Sequence, residues 1–342
     1  LERAILEHRA AIRSIDRAAL GNVLNTYEEI MARLNPQIEV LVQTLATKGE
    51  LTPSELFRLD RYQELQRQIA EEMRTLATAT GDITAQAQAR AIQEAVTSAE
   101  NMAVSAARGT SATATVATSW VNVPTKAVED FIGASRSGPL AELLASFEEV
   151  TGRELVNQIT NALATGTNPR AVADAIVKST EIGRNRALTI ARTEMMRSSR
   201  SASLAQYEEN ADILQGWIWS CAKSDNTCAA CLAMDGTTHP QGETMDSHVN
   251  CRCSPIPWLR DIPMRKVETG EEWLAKQTPE QQDAILGKAG GAAYRAGEVQ
   301  LSHFVRVTDS ADWGRSVTDG GIGWARFQAG QVQDVAPLQF RR

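Results

Sequence analysis

Four of the five cysteines and two of the four histidines fall within residues 227–253, TCAACLAMDGTTHPQGETMDSHVNCRC. This stretch cannot fold without settling where its thiols go. Cys228 and Cys231 form a C-x2-C pair, a spacing that turns two sulfurs toward one ion, and His248 and Cys251 repeat the spacing. Together they make a Cys3His set of the kind that builds closed structural zinc sites. The segment between the halves includes Asp235-Gly236, a hairpin-turn signal that would fold the two pairs together. Cys253 is a further candidate for a position already filled. On an extended strand, residues two apart lie on one face about 6.5–7 Å from each other, whereas two sulfurs on one tetrahedral zinc lie about 3.8 Å apart. Cys251 and Cys253 therefore both ligate only if the strand bends. The matched spacing favours Cys251, with Cys253 as its substitute.

Unlinked core cysteines and a pair of disulfides are the competing readings. The first residues, LERAILEHRAAIRS, lack the charged, apolar and small-residue regions of a secretory signal. Cytosolic synthesis is the expectation, and it places disulfides second to a metal. Cys221 has no partner by spacing and is expected to pack within a strand. His239, beside Pro240, reads as a turn residue, and His8 and His303 are isolated. A zinc hydrolase or deaminase needs an open coordination position and a carboxylate base. Asp235 and Asp246 are at hand, but a full set of protein ligands leaves no place for water. A thioredoxin-like role needs the C-x2-C at a helix start in a βαβ unit, which the flanks do not predict. Walker loops, dinucleotide fingerprints and nucleophile elbows are absent. The net charge of −7 excludes a surface that neutralises phosphate everywhere and leaves room only for local nucleic-acid contact. No apolar run is long enough to span a membrane, so no membrane partner is expected.

The rest of the chain predicts a mainly helical α+β protein. Leu20, Leu24, Tyr27, Met31, Leu34, Ile38, Leu41 and Leu45 give one helix a narrow apolar seam, which Pro36 should kink or restart. Thr52, Pro53 and Glu55 form a helix-start signal. The helix that follows carries Leu59, Tyr62, Leu65, Ile69, Met73 and Leu76, with an interruption expected at Gly81 and an Ala-rich continuation to about Ala107. Residues 109–118 read as a polar linker. Helices are expected near 124–133, 139–164, 168–178 and 182–208, the last containing Arg184, Arg186, Arg192, Arg197 and Arg200. That row reads as a solvated face with internal ion pairs, or alternatively as a local patch for DNA phosphate or an acidic partner. Beyond Gly216, alternation at Trp217, Trp219 and Cys221 predicts a half-buried strand. CRCSPIPWL predicts another, confined to an edge by Pro255 and Pro257.

The succession ALTIARTEMMRSS, WIWSCAKSDNTCAACLAMDGTTH and SHVNCRCSPIP resembles the Mu F-like minor head proteins, the head morphogenesis family of tailed bacteriophages. The matching positions are Arg192, Thr193, Glu194, Trp219, Asp225, Cys228, Cys231, Gly236, His248, Cys251, Arg252 and Cys253. The prolines usual just before the histidine are replaced by ETMDSH. The division expected is an N-terminal helical arm or bundle over 1–115, a zinc-stapled Mu F-like domain over 116–265, and a helical segment with an irregular tail over 266–342. The resemblance implies a non-enzymatic minor capsid protein that acts in procapsid assembly, DNA packaging or ejection. Its place would be the capsid interior near the portal, with the portal protein, a major capsid or scaffolding protein and packaged double-stranded DNA as partners. The alternative from a different class is a metal-dependent enzyme acting on nucleic acid or nucleotides.

Overall fold

The structure is a computed structural model that describes residues 1–48, 60–124, 140, 142–145, 169–224, 226–263, 268–310 and 313–331. The expected helix start at Thr52 and the helices near 124–133 and 139–164 lie largely outside the described residues, although 142–145 are helical. Three long helices carry most of the chain: α1 (Glu2–Lys48), α2 (Asp60–Ala107) and, after the short α3 (Thr113–Ser119), α4 (Pro169–Glu209). The chain divides into two compact units, one of residues 12–91 and 129–195, the other of 1–11, 92–128 and 196–342.

In the first unit the α1 core stripe is Ala19, Val23, Tyr27, Ile30, Leu34, Ile38 and Leu41. Leu20, Leu24 and Met31, expected in the seam, are only partly buried, because the stripe runs one residue earlier through small and β-branched side chains. Pro36 does not restart α1. Pro36 and Ala32, whose carbonyl the proline leaves without a donor, are both exposed, which puts the freed group on a face that water can reach. On α2, Leu65, Ile69, Met73 and Leu76 are buried as the periodicity requires. Gly81 does not interrupt α2: a Cβ there would stand 2.8 Å from Leu144 Cδ1, so the glycine serves close packing. Polar ties join the helices. Arg33 makes paired bonds of 2.7 and 2.6 Å to Glu72, Arg192 bonds Asp16 at 3.0 Å, and Tyr27 Oη meets Thr180 Oγ1 at 3.2 Å. The two helices expected over 168–178 and 182–208 are one, running through Gly183.

The second unit holds the mixed structure. Strand β1 (Leu214–Ser220) is central in an antiparallel sheet of order β2-β1-β3, with β2 at Thr238–Pro240 and β3 at Ser254–Leu259. Pro257 and Pro255 stand opposite Trp217 and Trp219, and β3 is an edge, where a missing N–H is tolerated. The strand is not half-buried as expected. Its Trp217 and Trp219 face one core, while Ile218 packs with Ile5, Met102 and Ile256 on the other side.

Asp235-Gly236 does not join two strands. It ends helix α5 (Ala229–Met234) and leads into β2, with Gly236 at φ +86°. Nor is 109–118 a bare linker: α3 begins within it and buries Val116. The segment beyond α3 is held by two amide side chains, Asn210 bonding both backbone groups of Val121 at 2.8 Å and Gln206 bonding those of Val123 at 3.1 and 3.0 Å.

After β3 come α6 (Gly270–Ala275), α7 (Pro279–Leu286) and α8 (Lys288–Arg295), the first two opened by capping boxes at Thr269/Glu272 and Thr278/Gln281. The tail is not irregular over its described part. A hairpin of β4 (Val305–Ser310) and β5 (Gly314–Asp319) is followed by α9 (Gly321–Gln331). Its strands were illegible because β4 is largely exposed and lacks apolar alternation.

Candidate metal centre

Each half of the cysteine–histidine stretch is shaped by a different local device. Cys228 is the N-cap of α5, and its Sγ accepts the Cys231 N–H at 3.4 Å. The C-x2-C therefore does open a helix, contrary to expectation, although its flanking strands are antiparallel and make no βαβ unit. In the other half, Cys251 N donates to His248 O at 3.1 Å, closing a turn with Asn250 at φ +63°. Asparagine tolerates that left-handed position, the third of the turn, where a type II turn requires positive φ. Cys253 N then donates to Cys251 Sγ at 3.4 Å, repeating the N–H to sulfur bond of the first half.

These devices bring the side chains together. His248 Nε2 lies 3.3 Å from Cys228 Sγ and 3.1 Å from Cys231 Sγ, and Cys231 Sγ lies 3.6 Å from Cys251 Sγ. Cys253 Sγ falls within 4.8 Å of the Cys231 and Cys251 sulfurs, so the ligand atoms form two triads that share Cys231, one with Cys228 and His248 and the other with Cys251 and Cys253. Tetrahedral zinc, with bonds near 2.3 Å to sulfur and 2.0–2.1 Å to nitrogen, sets edges of about 3.8 Å between sulfurs and about 3.6 Å from sulfur to nitrogen. The three separations fall short of these edges by about 0.2–0.5 Å. His248 Nδ1 lies 2.7 Å from Val249 O, so Nδ1 carries a proton and Nε2 is the nitrogen that faces the thiols.

Electrostatics supports the same set. Cys231 contact, aided by the His248 ring, holds the Cys228 thiol down to about 5 despite burial. Burial works against charge on His248, but Cys228 and Cys251 outweigh it and raise the ring to about 10. Cys251 is drawn well below the ordinary thiol range by Cys231 and Cys253, with the Arg200 charge adding to the effect. Cys231 is pushed well up by Cys228, Cys251 and Cys253 together. Cys231 lowers Cys253, but Cys251 and burial outweigh it and hold that thiol protonated. So many adjacent sulfurs cannot all ionise without a further cation among them.

Arg200 completes the arrangement. It is 3% exposed, and donates from Nε to Cys253 O at 2.9 Å and from Nη2 to Cys251 O at 2.6 Å. Three thiolates, a neutral histidine and a divalent ion would carry one net negative charge, which this buried guanidinium offsets. Donor types and charge therefore suit a thiophilic divalent ion such as zinc, and the spacing suits one within each of the two triads. A cleft of about 40 Å³ opens on the cluster beside Ser224, Asn226 and Asn250.

The remaining candidates have other employment. Asp235 accepts the Cys221 N–H at 2.7 Å and pairs with Lys223 at 2.9 Å, while Asp246 meets Thr244 at 2.7 Å and Arg315 at 3.4 Å. His239 lies in β2, stacked on Trp217 at 4.0 Å, with ring nitrogens 2.9 Å from Thr237 Oγ1 and 3.1 Å from Glu243 Oε1. The Thr237 hydroxyl donates to Met234 O at 2.7 Å, so the chain of contacts is a packing arrangement rather than an activated nucleophile. Of the arginine row, Arg192 is bound to Asp16, Arg184 lies over the Tyr27 ring, Arg197 bonds Trp313 O and Arg200 clamps the cysteine loop. Those four are internal ties rather than a solvated face. Arg252 is exposed, and Asp225 lies outside the described residues. Sequence reasoning missed the Arg200 clamp and Arg9, which reaches Ser220 Oγ at 2.7 Å and Cys221 O at 2.5 Å.

Fold and site define a mainly helical protein with a small sheet module gathered around a cysteine–histidine cluster. Residues 153–256 match the family model described as Phage Mu protein F like protein, so the segment that carries the cluster is Mu F-like. The match spans under a third of the chain and supports a phage head morphogenesis protein. No curated protein and no solved structure matches the chain.

Proposed function

We propose that the protein is a non-enzymatic minor component of a tailed double-stranded DNA phage head, in which Cys228, Cys231, His248 and Cys251 hold a structural zinc. Bound zinc would supply folding free energy and a rigid crosslink. The observation that carries this reading is the buried Arg200 guanidinium seated on the Cys251 and Cys253 carbonyls, beside two ligand triads that share Cys231 and together offer more than the four donors a closed site needs. Such a set leaves no open position for a reacting water, and Asp235 and Asp246 are both committed to other partners.

The setting we propose is the capsid interior near the portal vertex, with the portal protein as principal partner. Major capsid or scaffolding protein and packaged DNA are further contacts, and the roles are assembly, packaging or ejection. The Mu F-like match supports the head location. The long helices suit docking along an extended partner, and no described helix is long and apolar enough to cross a membrane. Coexpression with the phage's portal and capsid proteins tests the reading. The protein should copurify with portal or procapsids and bring zinc with it. A chain that stays apart from both, or that shows metal-dependent turnover of a nucleic acid, would overturn it.

A further inference from the structure

Cys253 is the thiol that a four-ligand set does not use, and the sheet places Cys221 across from it. The two strands are antiparallel, with Trp219 opposite Pro255 and Ser220 opposite Ser254. Trp219 turns both its backbone groups toward the other neighbour, donating to Thr237 O at 2.9 Å and accepting from Gly236 N at 2.8 Å. Pro255 has no N–H to offer. Trp219 and Pro255 are therefore a non-hydrogen-bonded pair, and antiparallel pairs alternate. One step beyond the last paired serines, Cys221 and Cys253 fall at the next non-hydrogen-bonded position.

Their backbone bonds agree. Cys221 N goes to Asp235 and its carbonyl accepts from Arg9; Cys253 N goes to Cys251 Sγ and its carbonyl accepts from Arg200. None of the four groups is spent on the facing strand. Opposed residues at such a position put side chains on the same face with Cα atoms about 4.5 Å apart, inside the range of about 4.4–6.8 Å that a disulfide spans. Both side chains are buried in one core. The cleft of about 40 Å³, lined by Ala222 and Cys253, gives a small peroxide a way to the Cys253 side of the pair.

We propose that Cys221 and Cys253 are a latent disulfide pair, closed by a small peroxide while Cys228, Cys231, His248 and Cys251 keep the metal. The inference rests on that metal reading. Cys253 sulfur attacks one peroxide oxygen, the O–O bond breaks, and the leaving hydroxyl takes the Cys253 proton, so that a sulfenic acid and one water result. Cys221 sulfur then attacks the Cys253 sulfur, the S–O bond breaks, and the hydroxyl leaves with the Cys221 proton as a second water. Two thiols lose two electrons and two protons, and the peroxide is reduced to two waters. The bond would tie the end of β1 to the start of β3, closing covalently the loop that carries the metal set.

The test uses the full chain with its zinc, treated with hydrogen peroxide, alkylated, digested and mapped by mass spectrometry, with zinc measured in parallel. The expected product is a crosslinked peptide joining Cys221 to Cys253, two hydrogens lighter than the reduced pair, with zinc content unchanged. Cys253→Ser and Cys221→Ser should each keep their zinc and abolish the crosslink. Zinc lost from Cys253→Ser would show that Cys253 is a ligand and overturn the proposal. So would zinc expelled by peroxide with disulfides among Cys228, Cys231 and Cys251, or Cys221 and Cys253 both recovered as reduced thiols. Zinc absent from the untreated chain would instead sink the metal reading; the crosslink map of that chain would still decide the pairing, by whether Cys221 joins Cys253.

Discussion

Replacing Arg200 with methionine keeps much of the aliphatic stem and removes the guanidinium. Two charge-assisted bonds disappear, of 2.9 Å to Cys253 O and 2.6 Å to Cys251 O, and both carbonyls belong to buried residues. Bonds to charged groups contribute about 1.5–3 kcal/mol each, so Arg200→Met should cost about 3–6 kcal/mol of folding stability in the zinc form. Part of that loss falls on the metal itself, because residues that orient ligands typically change metal affinity about 10–100-fold when removed. Competition with a chromophoric chelator reads the affinity, and thermal unfolding of the full chain reads the stability. Arg200→Lys, which keeps the charge but cannot bridge both carbonyls in the same planar fork, should fall between parent and methionine variant. A methionine variant with zinc affinity within twofold of the parent and an unchanged unfolding temperature would refute the argument, since it would mean that the clamp neither shapes the loop nor balances its charge.

Removing zinc with a strong chelator should loosen the sheet module while leaving α1 and α2 helical, because every candidate ligand lies in 228–253; far-UV circular dichroism losing a small fraction and tryptophan fluorescence shifting red would show it. Gly216→Ala should be severe, costing about 3 kcal/mol or more in denaturant titration, since the added Cβ would meet His239 O at 2.0 Å and force β2 from β1. Gly81→Ile should cost about 1–3 kcal/mol through contact with the Leu144 side chain, whereas Gly81→Ala should be near neutral as better helix propensity offsets a contact the flexible leucine can relieve. Asp16→Ala should cost about 3–5 kcal/mol by stranding the largely buried Arg192, and Asp16→Ala with Arg192→Leu should recover part of the loss in the same titration.

The clustering of thiols and imidazole was legible because its information is local. The C-x2-C and H-x2-C spacings announce themselves, and the two halves meet in space as such spacings require. What orders the set was not legible. Arg200 binds carbonyls more than fifty residues further along the chain, and a guanidinium on a backbone oxygen leaves no spacing to recognise. Arg9 reaches a strand end more than two hundred residues away. The helices were legible in type but not in length. Pro36, Gly81 and Gly183 are ordinary helix-ending signals, yet α1, α2 and α4 run through them. A break costs every backbone bond of a turn, and packing on flanking turns outweighs the propensity lost at one residue. The β4–β5 hairpin failed to show for the opposite reason: β4 is largely exposed, and the one buried residue of β5 is Ser316, so little apolar pattern marks either strand.

The end of α4 explains how one small cluster can stiffen so much chain. Arg197, Arg200, Gln206 and Tyr207, with Asn210 just beyond the helix, follow one another at spacings that keep them on a broad face. They hold, in turn, Trp313 O near the C-terminal hairpin, the cysteine loop, Val123, the Pro255 carbonyl of β3, and Val121. Each bond is weak beside the helix that presents it, but the helix is common to all of them. A metal held as proposed would fix the Cys251 and Cys253 carbonyls and with them Arg200, and through the rigid turns of α4 it would fix the register of the other contacts. Removal of such an ion would free the cysteine loop on which Arg200 is anchored, so the β3 edge, the 121–123 segment and the hairpin should loosen together. That cooperative release is the behaviour expected of a stapled structural module, whereas a catalytic metal, bound into a scaffold already complete without it, would leave those contacts standing.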